Sequence, residues 1–376
     1  MMQKFTVDKK ILLPLLSAMQ PICPKRTTLD ATSSLYFQVG QRELVLKSTD
    51  LEVSLQASCM VEESTLTETI TFLVGGRRIF DIVRELEGII AFELVHHTLH
   101  LRAQGVNLSL NIKPTEEFPA FPERIENLMN IATKDLTELL ECVSFLIPQN
   151  NSNPGLNGLF VEVSPEGLTM TTTDGHCLAQ ACSKTYSLPA ARSWLIPRRA
   201  IFELKKLLET FGDQHIFVGI CSQQLVFSGE IFNFFTKLLV TPFPEYRQIL
   251  DKSSFMPARI DRNQFIKTLR RSACLLSGQF LATKFTFMRE RLKVALYNKE
   301  VGSLEEELAL ADFEASTELE IRFYTPYLLN GLQALPEEGL QCYLKNNAKP
   351  IIFEAAHQDV KVTYLVMPVS PTHMQA

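Results

Sequence analysis

The sequence has a single tryptophan, and its eight cysteines (Cys23, Cys59, Cys142, Cys177, Cys182, Cys221, Cys274 and Cys342) form no CxxC pair and no metal-ligand spacing with a histidine. Reduced, mostly buried thiols are therefore expected rather than a disulfide framework or a zinc site. No apolar run approaches the roughly 18 to 20 residues that a membrane-spanning helix needs. The opening Met1-Met2-Gln3-Lys4-Phe5 leads into an amphipathic segment without an apolar signal core, so a cytoplasmic location is expected. Excess positive charge is missing too: 37 Lys and Arg stand against 42 Asp and Glu, a net charge of −5. Attachment to nucleic acid by bulk electrostatics is thereby excluded, and any such contact has to be locally basic or topological.

Catalytic signatures are equally scarce. GxSxG, HExxH, P-loop and paired-carboxylate motifs are all absent. Asp174-Gly175-His176 has no nucleophile or second carboxylate cluster to work with. His96-His97-x-x-His100 falls on an expected strand, whose period of two turns His97 away from the other two. A recognition helix, a zinc finger and an aromatic stacking platform are also missing, which excludes reading of a base sequence. The 25 phenylalanines fall mostly at alternating or helical spacing, the pattern of a core. Neither catalytic residue, metal nor cofactor is expected.

What the 376 residues do contain is one unit repeated three times. Each copy opens with apolar residues at helical spacing, in Phe5–Ala18, Ile131–Leu146 and Ile260–Leu276. Alternating strands follow at Arg42–Leu55, Gly167–His176 and Arg291–Glu300, and then a second helix at Gly76–Leu86, Pro197–Leu208 and Tyr324–Leu335. Each copy closes at an aromatic or methionine before proline: Phe118-Pro119, Phe243-Pro244 and Met367-Pro368. Independent landmarks share one offset of about 124 residues, Thr49-Asp50 recurring as Thr173-Asp174. The chain thus reads as α+β, with three domains at 1–128, 129–254 and 255–376, each of two helices and antiparallel strands.

Like domains joined head to tail make heterologous contacts, and these close into a ring when the rotation divides the circle. Two chains would supply six domains. Much of the basic charge lies on the expected helices, at Lys9, Lys10, Arg198, Arg199, Arg270 and Arg271, with Arg26 in the loop after the first of them. Helices lining a hole and sheets forming an acidic wall would let an acidic protein face phosphates with a basic lumen. Contacts of that kind position a duplex without reading it.

The segment Thr173-Asp174-Gly175-His176-Cys177-Leu178-Ala179 resembles the TDGHRLA segment of the bacterial DNA polymerase III beta subunits, the beta sliding clamps. Lys4-Phe5-Thr6-Val7, Leu156-Asn157-Gly158, Pro197-Arg198-Arg199, Phe243-Pro244-Glu245-Tyr246-Arg247 and Tyr364-Leu365-Val366-Met367-Pro368 match in order, so the likeness spans nearly the whole chain. It implies a homodimer that closes as a six-domain ring around double-stranded DNA, opened by a clamp loader. It further implies a groove that receives a short linear peptide, roughly Gln-Leu-x-Leu-Phe, from the polymerase III alpha subunit, the clamp loader and repair polymerases. The walls implied here are Leu156, Thr173, Gly175, His176, Leu178, Pro244, Ile249, Tyr327, Val366, Met367 and Pro368. The dimer seam implied is Leu108 and Leu110 against Leu275, Leu276, Glu305, Glu306 and Glu307. Departures from the family pattern are Cys177, Asn153, Gln248 and Tyr324 near the groove, Gly105 and Asn107 at the seam, and a tail running through Val369 to Ala376. They point to a less basic pocket, a weaker dimer and, as the alternative, a clamp-like scaffold that does not encircle DNA.

Overall fold

The computed structural model describes residues 3–25, 27–122, 124–277, 282–314, 317–335 and 340–369. Among these lie six α-helices: α1 (Lys9–Met19), α2 (Gly76–Glu85), α3 (Thr133–Ser144), α4 (Arg198–Phe211), α5 (Arg262–Ala273) and α6 (Thr325–Ala334). The strands are all paired antiparallel in four sheets, so the class is α+β, as the sequence implies.

The three opening segments are not helical from their first apolar residue. The first two start inside strands, Gln3–Asp8 and Glu126–Ala132, and the third begins just after the strand Met256–Arg259; each then turns into a helix. Phe5 and Val7 alternate with half-exposed neighbours and are buried in a sheet, a period of two that precedes the helical one. Asp8 and Asp261 mark two of the transitions, their carboxylates accepting from the backbone N–H of Lys10 (2.9 Å) and Gln264 (2.7 Å) as N-caps do. The expected strand over the three histidines is broken as well. His96 and His97 form the turn between Ile89–Val95 and Thr98–Ala103, and only His100 is on a strand.

The chain divides into two compact units, Met1–Asp135 with Arg199–Leu238, and Leu136–Arg198 with Leu239–Ala376. The first holds a five-stranded sheet in the order Glu63–Ser64, Gln3–Asp8, Ile89–Val95, Thr98–Ala103, Val106–Asn111. It also holds an eight-stranded sheet running Glu126–Ala132, His215–Cys221, Gln224–Ser228, Phe232–Lys237, Val53–Met60, Glu43–Thr49, Ser34–Val39, Ile70–Gly75. In the second unit, eight strands run Arg192–Pro197, Gly158–Ser164, Gly167–Thr173, Cys177–Ser183, Val360–Val366, Ile351–His357, Gln341–Leu344, Met256–Arg259. Four more run Gly302–Ala309, Arg291–Asn298, Thr283–Met288, Leu319–Phe323.

Both eight-stranded sheets splice consecutive copies of the repeat. Val53–Met60 of the first copy pairs with Phe232–Lys237 of the second, and Cys177–Ser183 of the second with Val360–Val366 of the third. A turn repeated in all three copies starts the spliced strand. Asp50 Oδ1 accepts from the N–H groups of Glu52 and Val53, Asp174 Oδ1 from His176 and Cys177, and Asn298 Oδ1 from Glu300 and Val301. The short side chain substitutes for a backbone acceptor in such turns. The register also corrects one landmark. Lys237 N–H donates to Glu52 O and Met367 N–H to His176 O, both at 2.9 Å, so Met367 is the counterpart of Lys237, not of Phe243. Two strands equivalent to the spliced pairs keep an open edge among the described residues: Val106–Asn111, at the end of its sheet, and Gly302–Ala309, at the end of another.

The cores are aromatic. Phe5 stacks on Phe92 at 4.9 Å and Phe37 on Phe72 at 5.2 Å, while Phe265 meets Phe285 edge-on at 6.0 Å. All six rings are buried, each contributing about 1.5–3 kcal/mol by removal from water. In the second unit α6 is seated by contact with one ring. Gly331 leaves no room for a Cβ, which would lie 1.9 Å from the Tyr364 ring, and the Tyr364 hydroxyl donates to Tyr327 O at 2.8 Å. Gly331→Ala is therefore expected to destabilise the second unit by about 1–3 kcal/mol, the usual cost of overpacking, seen as a lowered thermal midpoint. An unchanged midpoint would show that α6 is not held through this contact.

Candidate functional site

The expected groove residues meet in the second unit around the splice between Cys177–Ser183 and Val360–Val366. The Thr173 side chain begins the turn, its hydroxyl donating to Cys177 O at 2.6 Å. Gly175 follows at φ 95°, a left-handed conformation that glycine adopts without a Cβ penalty. His176 is thereby left exposed beside α6, where its ring stacks on Tyr327 at 5.7 Å and 17°. Tyr324 meets Tyr327 edge-on at 5.1 Å, so the departure at Tyr324 buttresses this wall. Burial, then the nearby Asp174 charge, pushes the Tyr327 hydroxyl above its usual range, so Tyr327 is a neutral hydroxyl there near pH 7.

An apolar floor lies next to this polar end. Leu178, Leu365, Ile352 and Tyr246 are buried together, with Met367, Phe243, Phe160 and Leu250 packed against them. The opposite wall is the segment from Pro242 to Leu250, which packs tightly: a Cβ on Gly155 would stand 2.4 Å from Pro242 O. Pro244 and Pro368 are half-buried there, Ile249 is exposed and Leu156 is buried in the adjoining turn. Apolar side chains beside a few polar groups are the chemistry that linear-peptide sites use.

One expected wall residue, Val366, faces elsewhere. Leu365 pairs with Leu178 and Val366 with Cys177, and neighbouring side chains on a strand point to opposite faces. Leu365 therefore shares the floor with Leu178, whereas Val366 is fully buried on the other face. Strand alternation through Val360–Val366 was the signal for Leu365. Tyr246 and Ile352 had no local signal, since only the fold brings them together. Cys177 shares the face of Val366, so its replacement of a basic residue changes the interior and not the charge of the groove. Burial, then Asp174, drives its thiol up to about 12, against a hydrogen bond with Tyr364. Asn153 is occupied in the turn beside Leu156, its Oδ1 accepting from Gly155 N–H at 3.0 Å, and Gln248 is exposed.

The expected DNA-facing residues differ in freedom. Lys10 and Arg270 are exposed, while Lys9 Nζ donates to Arg84 O at 2.7 Å and Arg198 Nε to Ile147 O at 3.0 Å. Arg199 forms an ion pair with the buried carboxylate of Asp50 and donates to Pro21 O. Arg271 holds Glu306 through two guanidinium nitrogens. Arg26 and the tail beyond Val369 lie outside the described residues.

At the expected seam, Leu108 and Leu110 lie on the open edge strand Val106–Asn111, Leu108 exposed and Leu110 half-buried. Leu275 and Leu276 follow α5, fastened by Asn298 Nδ2 donating to Leu275 O. The acidic run is internally paired, Glu305 with Lys293, Glu306 with Arg271, and Glu307 with Arg291. No group of His, Cys, Asp and Glu among the described residues could hold a metal, and no described helix is long and apolar enough to cross a membrane.

Comparison with known proteins gives one consistent result. Family models of the DNA polymerase III beta subunit match in chain order, the N-terminal domain over residues 3–122, the central domain over 130–245 and the C-terminal domain over 247–370. The beta sliding clamp of Escherichia coli K12 is 30% identical over 372 residues, covering 97% of this chain and 99% of its own length. That of Pseudomonas putida is 29% identical over 371 residues with the same coverage. Among solved structures, the DNA polymerase sliding clamp of Pseudomonas aeruginosa superposes with a TM-score of 0.87 at 26% identity, covering 98% of this chain and 99% of that one. A Pseudomonas aeruginosa sliding clamp bound to griselimycin gives 0.88 at 26% identity, with 98% of this chain and 99% of that one covered.

Cys274 is exposed and the other cysteines are buried or half-buried, so a thiol reagent is expected to modify Cys274 first and Cys177 only on unfolding; mass mapping of the labelled peptides checks the order. The Arg271 hydrogen bond, opposed by burial and helped by Thr268, holds the Glu306 carboxyl below its usual range. A depressed folded value means that the pairing stabilises fully above the unfolded carboxylate value of about 4.3 and is lost as pH falls through the folded value. Arg271→Gln is expected to raise the Glu306 titration, followed by carboxyl NMR; an unmoved titration would refute the assigned cause.

Proposed function

Since the chain belongs to the family of bacterial DNA polymerase III beta subunits and is a DNA sliding clamp, we propose that two copies close head to tail into a six-domain ring around duplex DNA. One observation carries this reading. Within the chain, each copy of the repeat joins the next by pairing two particular strands edge to edge. The same two positions at the ends of the series, Gly302–Ala309 in the third copy and Val106–Asn111 in the first, keep open edges. Two chains related by a twofold axis would pair them twice, satisfying backbone groups that an open edge otherwise leaves to solvent. Leu108 and Leu110 on one side and Leu275 and Leu276 on the other would add apolar contact. The domains on this reading are 1–128, 129–254 and 255–376.

Inside the ring, Lys10 and Arg270, with Arg26, Lys9, Arg198, Arg199 and Arg271, would face phosphates without reading bases. Retention then rests on topology rather than affinity, and the chain itself catalyses nothing. The groove around Leu178, Leu365, Met367, His176 and Tyr327 would tether a cytoplasmic replicative polymerase, the clamp loader or a repair polymerase by a short peptide. Apolar residues of that peptide fill the floor, and a polar residue meets the His176–Tyr327 end.

Loading onto nicked circular DNA by a clamp loader and ATP tests encirclement: the protein is expected to stay on circles and to leave once they are cut. Failure to stay, with a loader proven on another clamp, would favour the non-encircling scaffold. Met367→Ala is expected to weaken a Gln-Leu-x-Leu-Phe peptide about five- to thirtyfold, the effect of losing roughly 1–2 kcal/mol. Unchanged affinity in a fluorescence titration would move the peptide site elsewhere. Arg199→Glu is a poor probe of DNA contact, because it also removes the partner of buried Asp50; Lys10→Glu with Arg270→Glu is expected to reduce loading and leave peptide affinity intact.

A further inference from the structure

The segment that walls the groove is fastened to the sheet beneath it by side chains that do not line the groove. Glu162 stands opposite Thr169, and Thr169 opposite Cys182, which sets the Glu162 carboxylate on the same face as Leu178. The Tyr246 hydroxyl donates to Glu162 Oε2 at 2.5 Å and accepts from Gln180 Nε2 at 3.4 Å. Arg247 holds the other carboxylate oxygen. The Tyr246 ring meets Phe160 and Phe243 edge-on at 6.5 and 5.7 Å and is buried in the floor with Leu178, Ile352 and Leu365. Burial, then the Glu162 bond, pushes the Tyr246 hydroxyl up to about 12, so it remains a donor at any working pH. Past Leu250, Lys252 pairs with Glu354, which also takes Lys361 at 3.0 Å.

The first junction lacks the carboxylate–hydroxyl bond. Gln38, paired with Val45 as Glu162 is with Thr169, occupies the place of Glu162. Phe121, which follows Phe118-Pro119 as Tyr246 follows Phe243-Pro244, has no hydroxyl; its ring lies under Lys47 Nζ at 5.5 Å. The repeat therefore folds without this bond, and the bond belongs to the junction that carries the groove.

We propose that Glu162 is a positioning residue of the peptide groove: by holding the Tyr246 hydroxyl it fixes the ring that forms part of the floor, without itself touching the peptide. The inference rests on the peptide-groove reading. Most of the Arg247 side chain is open to solvent, so its ion pair contributes little and the hydroxyl bond carries the effect. A segment released from Glu162 spends part of its time with the floor unassembled, and affinity falls in proportion to the assembled fraction.

A labelled Gln-Leu-x-Leu-Phe peptide, titrated by fluorescence anisotropy against full-chain variants well below their thermal midpoints, tests this. Glu162→Ala is expected to bind it about three- to tenfold more weakly, the effect of losing one largely buried hydrogen bond. Glu162→Gln, whose amide oxygen still accepts from Tyr246, is expected to stay within about twofold of the unaltered chain, since only the exposed ion pair is lost. Tyr246→Phe keeps the ring and loses the hydroxyl; combined with Glu162→Ala it should bind no more weakly than the weaker single variant, because both changes remove the same bond. Unaltered affinity in Glu162→Ala, losses that add in the double variant, or a loss in Glu162→Gln as large as that in Glu162→Ala would overturn the positioning role and leave the groove standing. Unchanged affinity in Met367→Ala would overturn the groove reading, and the role of Glu162 with it.

Discussion

An open strand edge exposes a row of N–H and C=O groups that need partners, and this chain meets the need at two junctions by handing an edge of one copy of the repeat to the next. The ladder between Val53–Met60 and Phe232–Lys237, and its repeat between Cys177–Ser183 and Val360–Val366, make the sheets continuous across copies. Everything functional is hung on that ladder. It sets Leu178 opposite Leu365 and carries Met367 past His176, while the equivalent strands Val106–Asn111 and Gly302–Ala309 end their sheets among the described residues.

The two internal junctions share a backbone and differ in side chains, which is why only one reads as a peptide site. At the second, Leu178 faces Leu365; at the first, Ser54 faces Phe235. Lys237 stands where Met367 stands, and Glu52 where His176 stands. The aromatic support is nearly the same, Phe118 against Tyr36 at 5.2 Å in one and Phe243 against Phe160 at 4.8 Å in the other. At the first junction, however, Asp50 is engaged by Arg199, whereas at the second the Asp174 charge acts on Tyr327. The first junction is thus charged where the second is apolar.

Charge shows the same economy. A net charge of −5 coexists with a set of helical cations, but several of those cations serve the fold. Arg199 neutralises a buried carboxylate, Arg271 ties α5 to the strand Gly302–Ala309, and Lys9 satisfies a carbonyl in the last turn of α2. Lys10 and Arg270 are exposed.

Threefold repetition, the α+β class and two helices per copy were legible in the sequence, because local periodicity and recurring landmarks survive without knowledge of long-range pairing; the grouping of Thr173, His176, Leu178, Pro244, Tyr327 and Met367 came only from the resemblance to the clamp family. The start of the first helix was misplaced, because Phe5 and Val7 fit a helical stripe as well as a strand and only the sheet decides between them, while the second helix of each copy starts within one residue of the expected position. Register was likewise invisible. Whether Val366 or Leu365 lines the floor, whether Met367 matches Phe243 or Lys237, and whether Cys177 faces the groove or the interior all turn on which residue pairs with which across nearly two hundred positions. A shift of one residue along a strand reverses every side chain. The sequence by itself determined the repeat, its composition and the residue types available for a site; tertiary pairing alone decided the face on which each of them stands.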